Sequence, residues 1–265
     1  MGKAIRQRMK ILGFSSHAPV PFPTTWTMKP YNLKQYCKSI RSLKQNNRST
    51  TEIFLGLEID FIPGIIGPHS PEFTSLGLDY IIGSVHFAGR LNTERWWTID
   101  GSEETFAMGI EETYRGDIRK AVETYYRLVQ QMTKEQPPDI IGHLDVIKKN
   151  NREEKYFSED ETWYREIVFV TLEVIAESGA IVEVNTGGIA RRKITSLYPS
   201  RWILKRCLEL GIPITLNSDA HNPEHIMSGF NEAANVLQDI GFKYLHILDS
   251  EGWHPCTFST AGLKC

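Results

Sequence analysis

The chain has 265 residues, 41% of them hydrophobic and 23% charged, which places it among ordinary globular proteins with enough length for one large α/β core. Thirty Lys and Arg against 32 Asp and Glu leave a net charge of −2. No global basic field therefore exists to hold nucleic acid or an anionic membrane, and an anionic ligand must be bound locally. The four cysteines are far apart with no CxxC pair, and the N-terminus lacks the apolar core and cleavage site of a signal peptide, which together predict a reducing, cytoplasmic setting. Apolar runs such as 179–184 and 212–216 are far shorter than the roughly 20 residues of a membrane-spanning helix.

Short β-branched runs alternate along the chain with longer amphipathic ones. Glu52–Ile59, Tyr80–His86, Asp139–His143, Ala180–Asn185 and Ile212–Asn217 read as buried strands. Tyr31–Gln45, Thr105–Gln136, Asp160–Ser178, Pro199–Leu210 and His225–Ile240 read as helices ending at Gly, Pro or Asn stop signals. A repeated β-α order predicts a parallel sheet or barrel. With no low-complexity linker and no short repeat, residues 1–265 read as a single domain.

Barrels of this kind carry their functional groups at the C-terminal ends of the strands, where this sequence places its unusual residues. Glu58 closes GLE, His86 closes GSVH, His143 closes IGH, Asn185 closes VEVN, and Asp219 and His221 follow TLNS. With His17 in SSHAP they form a set of imidazoles and carboxylates suited to Zn²⁺, Mn²⁺ or Fe²⁺. In Asp219-Ala220-His221, an extended backbone would turn residues i and i+2 to one side and into one cavity. A single histidine after an apolar run is more often a hydrogen-bonded core residue than a ligand; it is the recurrence at strand ends that favours a metal site, because burying so many ionisable groups unpaired is costly. His69, His225, His246 and His254 do not share the pattern and are expected to be solvated or structural.

These stretches resemble the histidinol phosphatases of the polymerase-and-histidinol-phosphatase (PHP) type. The resemblance rests on GFSSHAPVPF (13–22), LGLEIDFIPG (55–64), LDYIIGSVHF (78–87), IIGHLD (140–145), VEVNTGGIARR (182–192), YPS (198–200) and NSDAH (217–221), in the family's order over nearly the whole chain. It implies a distorted (β/α)₇ barrel, up to three divalent ions and hydrolysis of L-histidinol phosphate, a small-molecule phosphate ester of histidine biosynthesis. Under it Glu58 bridges two ions, His86 and His143 complete the second, Asp219 binds the first, and His17 and His221 bind the third. Arg191 or Arg192 supplies the planar cation that grips phosphate oxygens. Family members open with a strand ending in an HxH pair; this chain has no HxH, and Ala4-Ile5-Arg6-Gln7 corresponds to the helix that follows. The first barrel strand and three metal-binding histidines are therefore expected to be missing, with loss of activity that an upstream HxH strand would restore; Asp60 and His69 are the residues to examine as replacements. The alternatives are another small phosphomonoester as substrate, or a metal-binding scaffold without turnover. Oligomeric state is not legible.

Overall fold

The computed structural model describes residues 1–190 and 197–264. Helix α1 (Gly2–Arg6) precedes strand β1 (Ile11–His17), followed by α2 (Leu33–Asn46), β2 (Glu52–Asp60), α3 (Pro71–Thr74), β3 (Tyr80–Ser84), and the small hairpin β4 (Phe87–Arg90) and β5 (Trp96–Thr98). Then come α4 (Glu103–Tyr114), α5 (Ile118–Glu135), β6 (Ile140–Ile141), α6 (Thr162–Ser178), β7 (Ile181–Asn185), α7 (Gly187–Ala190), α8 (Arg201–Glu209) and β8 (Ile214–Asn217). Helix α9 (Phe230–Ile240) leads to a C-terminal antiparallel unit of β9 (Tyr244–Asp249), β10 (Gly252–Ser259) and β11 (Gly262–Leu263).

Among the described residues, six strands form one sheet in the order β1-β2-β3-β6-β7-β8, and every neighbouring pair is parallel. The sheet curls into a half-barrel. The strands follow from their sequences: β2 is buried from Ile53 to Asp60 and β7 throughout, the near-continuous apolar run of a parallel strand covered on both faces. Strand β1 lacks that pattern, since GFSSH mixes Gly and Ser into a half-exposed edge, and its extended backbone was not expected from composition.

The expected helix Thr105–Gln136 is two helices. Arg115 and Gly116 both take positive φ, which ends α4, and the Asp117 side chain then accepts from the Lys120 backbone N–H at 3.0 Å to start α5. The segment expected as a helix from His225 begins as a 3-10 turn, Pro223–His225, and the α-helix starts only at Phe230.

Register positions the site. In the β1–β2 ladder His17 stands opposite Glu58, in β2–β3 Asp60 stands opposite Ser84, and in β7–β8 Asn185 stands opposite Asn217. The other end of the half-barrel is filled by Phe54, Tyr80, Ile82, Ile140 and Ile181, against which Leu248 and Trp253 of the C-terminal hairpin pack. Gly56 is required there, because a Cβ would lie 2.5 Å from the Tyr80 ring.

Candidate metal centre

Three of the residues expected at strand ends, Glu58, His86 and His143, converge with His17 at the end of β1. Glu58 Oε1 lies 3.0 Å from His143 Nε2 and 3.6 Å from His86 Nε2, while Glu58 Oε2 lies 3.3 Å from His17 Nδ1. The two Nε2 atoms of His86 and His143 are 3.1 Å apart. His17, Glu58 and His86 each offer one ligand atom, all within 4.8 Å of one another. Glu58, His86 and His143 are buried and His17 is half-buried, so the group is a lined pit and not a surface cluster.

His221 stands beside this group, its ring centroid 5.9 Å from that of His17, and it lines the same cavity of about 670 Å³ as His17 and His86. Asp219 reaches His221 Nδ1 with Oδ1 at 3.4 Å and with its carbonyl at 3.0 Å. The two side chains meet by a route other than the expected one: Asp219 takes φ +44, a left-handed kink and not an extended segment, which turns its own carbonyl onto the following imidazole. Arg191 and Arg192 lie outside the described residues.

A second layer holds the first. Asp60 Oδ1 accepts from the His86 backbone N–H at 3.0 Å and faces His86 Nδ1 at 2.9 Å, which fixes the ring and leaves Nε2 directed at Glu58, the arrangement that orients histidines at metal sites. Ser84 Oγ donates to Glu58 Oε1 at 2.8 Å. Glu183 accepts from the His143 backbone N–H at 2.7 Å and from the Asn185 and Asn217 amides at 3.0 and 2.9 Å. Gly142 keeps this packing open, since a Cβ would stand 2.4 Å from Ser84 Oγ. His69 lies elsewhere: its backbone N–H donates to Gln136 and its Nε2 faces the Pro137 carbonyl.

Glu183 and Asp100 were not singled out from the sequence. A carboxylate between two valines in a buried strand was the available signal for Glu183; nothing local marked Asp100, which reaches the cavity from the loop after β5.

Burial opposes the charge on Glu58, yet His17, then His143 and His86, outweigh it and hold the carboxyl well below the usual carboxylate range. Burial likewise disfavours the His86 imidazolium, but Asp60, with Asp100 and Glu58, draws its pKa up to about 10. For His143 burial is outweighed by Glu58. Burial keeps Glu183 above its ordinary value despite the facing His143. Imidazoles and a carboxylate placed this way bind a proton or a divalent cation in competition, so cation binding at such a group depends on pH. Its fit to a cation shows in the donor set: Nε2 of His86, Nε2 of His143 and Nδ1 of His17 all face the Glu58 carboxylate, and the buried His17 Nδ1 makes no hydrogen bond beyond that ion-pair contact, a cost that coordination can relieve.

Residues 1–187 match the PHP domain. The chain belongs to the PHP domain family. Within it, the chain is 31% identical over 232 residues to a protein of Deinococcus radiodurans named probable histidinol-phosphatase, covering 87% of this chain and 82% of that one. It is 28% identical over 233 residues to the histidinol-phosphatase of Bacillus subtilis, covering 83% and 84%. Among solved structures, the histidinol phosphate phosphatase of Lactococcus lactis, complexed with zinc, L-histidinol and phosphate, superposes with a TM-score of 0.68 at 21% identity, covering 100% of this chain and 90% of that one. The hisK protein of Listeria monocytogenes superposes with a TM-score of 0.76 at 23% identity, covering 87% and 90%. These two likenesses establish the PHP fold. No helix among the described residues is long and apolar enough to cross a membrane.

Proposed function

We propose that this PHP domain is a metal-dependent phosphomonoesterase that hydrolyses L-histidinol phosphate to L-histidinol and phosphate, a reaction of histidine biosynthesis in the cytoplasm. The observation that carries the metal chemistry is the convergence of His86 Nε2 and His143 Nε2 on one Glu58 oxygen. The substrate is taken from relatives named for it.

Under this reading Glu58, His86 and His143 hold one divalent ion, and His17, His221 and Asp219 contribute to others, with Zn²⁺, Mn²⁺ and Fe²⁺ as candidates. When bound, such ions place positive charge against phosphoryl oxygens and acidify water. The protein's own groups do the rest. Asp60 holds the His86 ring with Nε2 inward, Ser84 restrains Glu58, and Glu183 with Asn185 and Asn217 fixes the backbone at His143, so the donors are preorganised before a ligand arrives. Arg191 or Arg192 is assigned the contact to phosphate on the sequence resemblance. Alanine at either should raise KM or lower kcat with metal content unchanged.

The test is phosphate release from L-histidinol phosphate by the purified protein, with and without an added upstream HxH strand, supplied with Mn²⁺ or Zn²⁺ and compared with nucleotide and sugar phosphates. Preferred release from L-histidinol phosphate is expected. Preference for another monoester overturns the substrate, and metal uptake without turnover of any ester overturns the activity.

A further inference from the structure

We propose that the indole of Trp26 is the platform on which the alcohol portion of the phosphate ester rests, making it a determinant of specificity for leaving alcohols that carry an aromatic ring or a cation. The inference deepens the phosphomonoesterase reading and rests on it.

Residues 18–29 leave β1 at His17 and return to it: the Met28 backbone N–H donates to the His17 carbonyl at 3.1 Å. Inside that loop the hydroxyls of Thr24 and Thr27 are hydrogen-bonded, and Lys29 Nζ donates to the Thr24 carbonyl at 2.7 Å. Phe22 anchors it, stacked on Trp96 with centroids 5.4 Å apart and edge-on to Phe87 at 5.2 Å. The loop is thus braced from within and pinned at both ends.

A loop so fixed could bury its remaining aromatic residue. It leaves Trp26 37% exposed, whereas Phe87 beneath it is 3% exposed. One face of the indole lies on Phe87, with centroids 5.6 Å apart and planes 19° from parallel. The His17 and His86 rings stand crosswise to it, with centroids 4.8 and 5.2 Å away and planes 80° and 65° from parallel. The rest of its surface borders the cavity that His17, His86 and His221 also line. Trp26 is therefore the apolar wall next to the imidazoles, where the part of the ester beyond the phosphate must lie if the phosphate is drawn to the metal centre.

Two cation–carboxylate pairs lie in the same cavity, Lys149 with Asp100 and Lys155 with Glu103, and Arg152 adds a positive charge suited to the phosphate end of the ester. The alcohol end is left to ring stacking and to the negative face of the indole, which attracts both aromatic rings and cations. An imidazole ring and an ammonium group, both present in L-histidinol, meet that description. A small polyol does not.

The experiment compares wild type, Trp26→Ala and Trp26→Phe, each loaded with Mn²⁺ and checked for metal content. It measures kcat/KM for L-histidinol phosphate and for glycerol phosphate, and separately titrates L-histidinol by calorimetry. Trp26→Ala should lower the ratio of the two kcat/KM values about tenfold, chiefly through KM for L-histidinol phosphate, and weaken L-histidinol binding about tenfold; Trp26→Phe should restore most of both. Equal losses on the two esters at an unchanged ratio, or L-histidinol binding as tight in Trp26→Ala as in wild type, overturn the inference by reducing Trp26 to a structural role. If wild type hydrolyses neither ester, the proposed function fails, and the L-histidinol titration alone decides the role of Trp26: failure of wild type to bind L-histidinol overturns it.

Discussion

His86 and His143 bring their Nε2 atoms to 3.1 Å across Glu58, although 57 residues separate them in the chain. Two imidazole nitrogens at that distance over one carboxylate oxygen share a proton or a cation. Replacing Glu58 by Gln removes the charge that all three facing histidines share and should abolish both tight metal binding and phosphatase activity. Metal analysis after dialysis and phosphate release check this together; full metal content with wild-type turnover would remove Glu58 from the centre.

Asp60 touches His86 and not the ligand cavity, so its role is to hold a ring. Asp60→Asn keeps the shape but exchanges the carboxylate for a neutral amide, and metal affinity should fall about 10- to 100-fold without loss of fold. Competition against a chelator of known affinity measures it. An unchanged affinity would mean that the ring is held by packing alone.

Behind the centre, Lys148 Nζ sits 2.7 Å from Asp145 Oδ2 with both side chains buried, and Asp145 also accepts from the Ser200 backbone N–H at 2.8 Å. Lys148→Met leaves that carboxylate without its cation and should cost about 3–5 kcal/mol in urea unfolding. Adding Asp145→Leu should recover more than half of the loss. A single-variant cost below about 1 kcal/mol would be that of an exposed ion pair and would contradict the burial argument.

His246 in β9 is half-buried with Nδ1 unpartnered, and burial, aided by neighbouring His254, holds its pKa below the ordinary value. The folded state thus takes up this proton less readily than the unfolded chain. Its contribution to stability is neutral at high pH and becomes unfavourable as pH falls below about 6.5. His246→Leu should flatten the fall in melting temperature between pH 7 and pH 5. An unaltered slope would place the acid sensitivity elsewhere.

Periodicity and strand-end chemistry determined much of this protein by themselves. The buried strands β2 and β7 were legible because apolar runs such as IFLGLEI and IVEV have no other stable home than a covered parallel sheet. Glu58, His86 and His143 were legible because ionisable groups at the ends of such runs demand partners. Tertiary structure decided what these groups meet. That His17 faces Glu58 follows from the β1–β2 register, set by long-range pairing of an edge strand too poor in apolar residues to be recognised locally. Asp60 emerged as the residue that orients His86, Glu183 as the acceptor beneath His143, and Asp219 as a left-handed kink. Each depends on side chains brought together from distant elements, and such contacts leave no period in the sequence. The position of Trp26 was the least legible of all, since an exposed aromatic residue in a Pro- and Thr-rich loop carries no local signal until the loop closes back on His17.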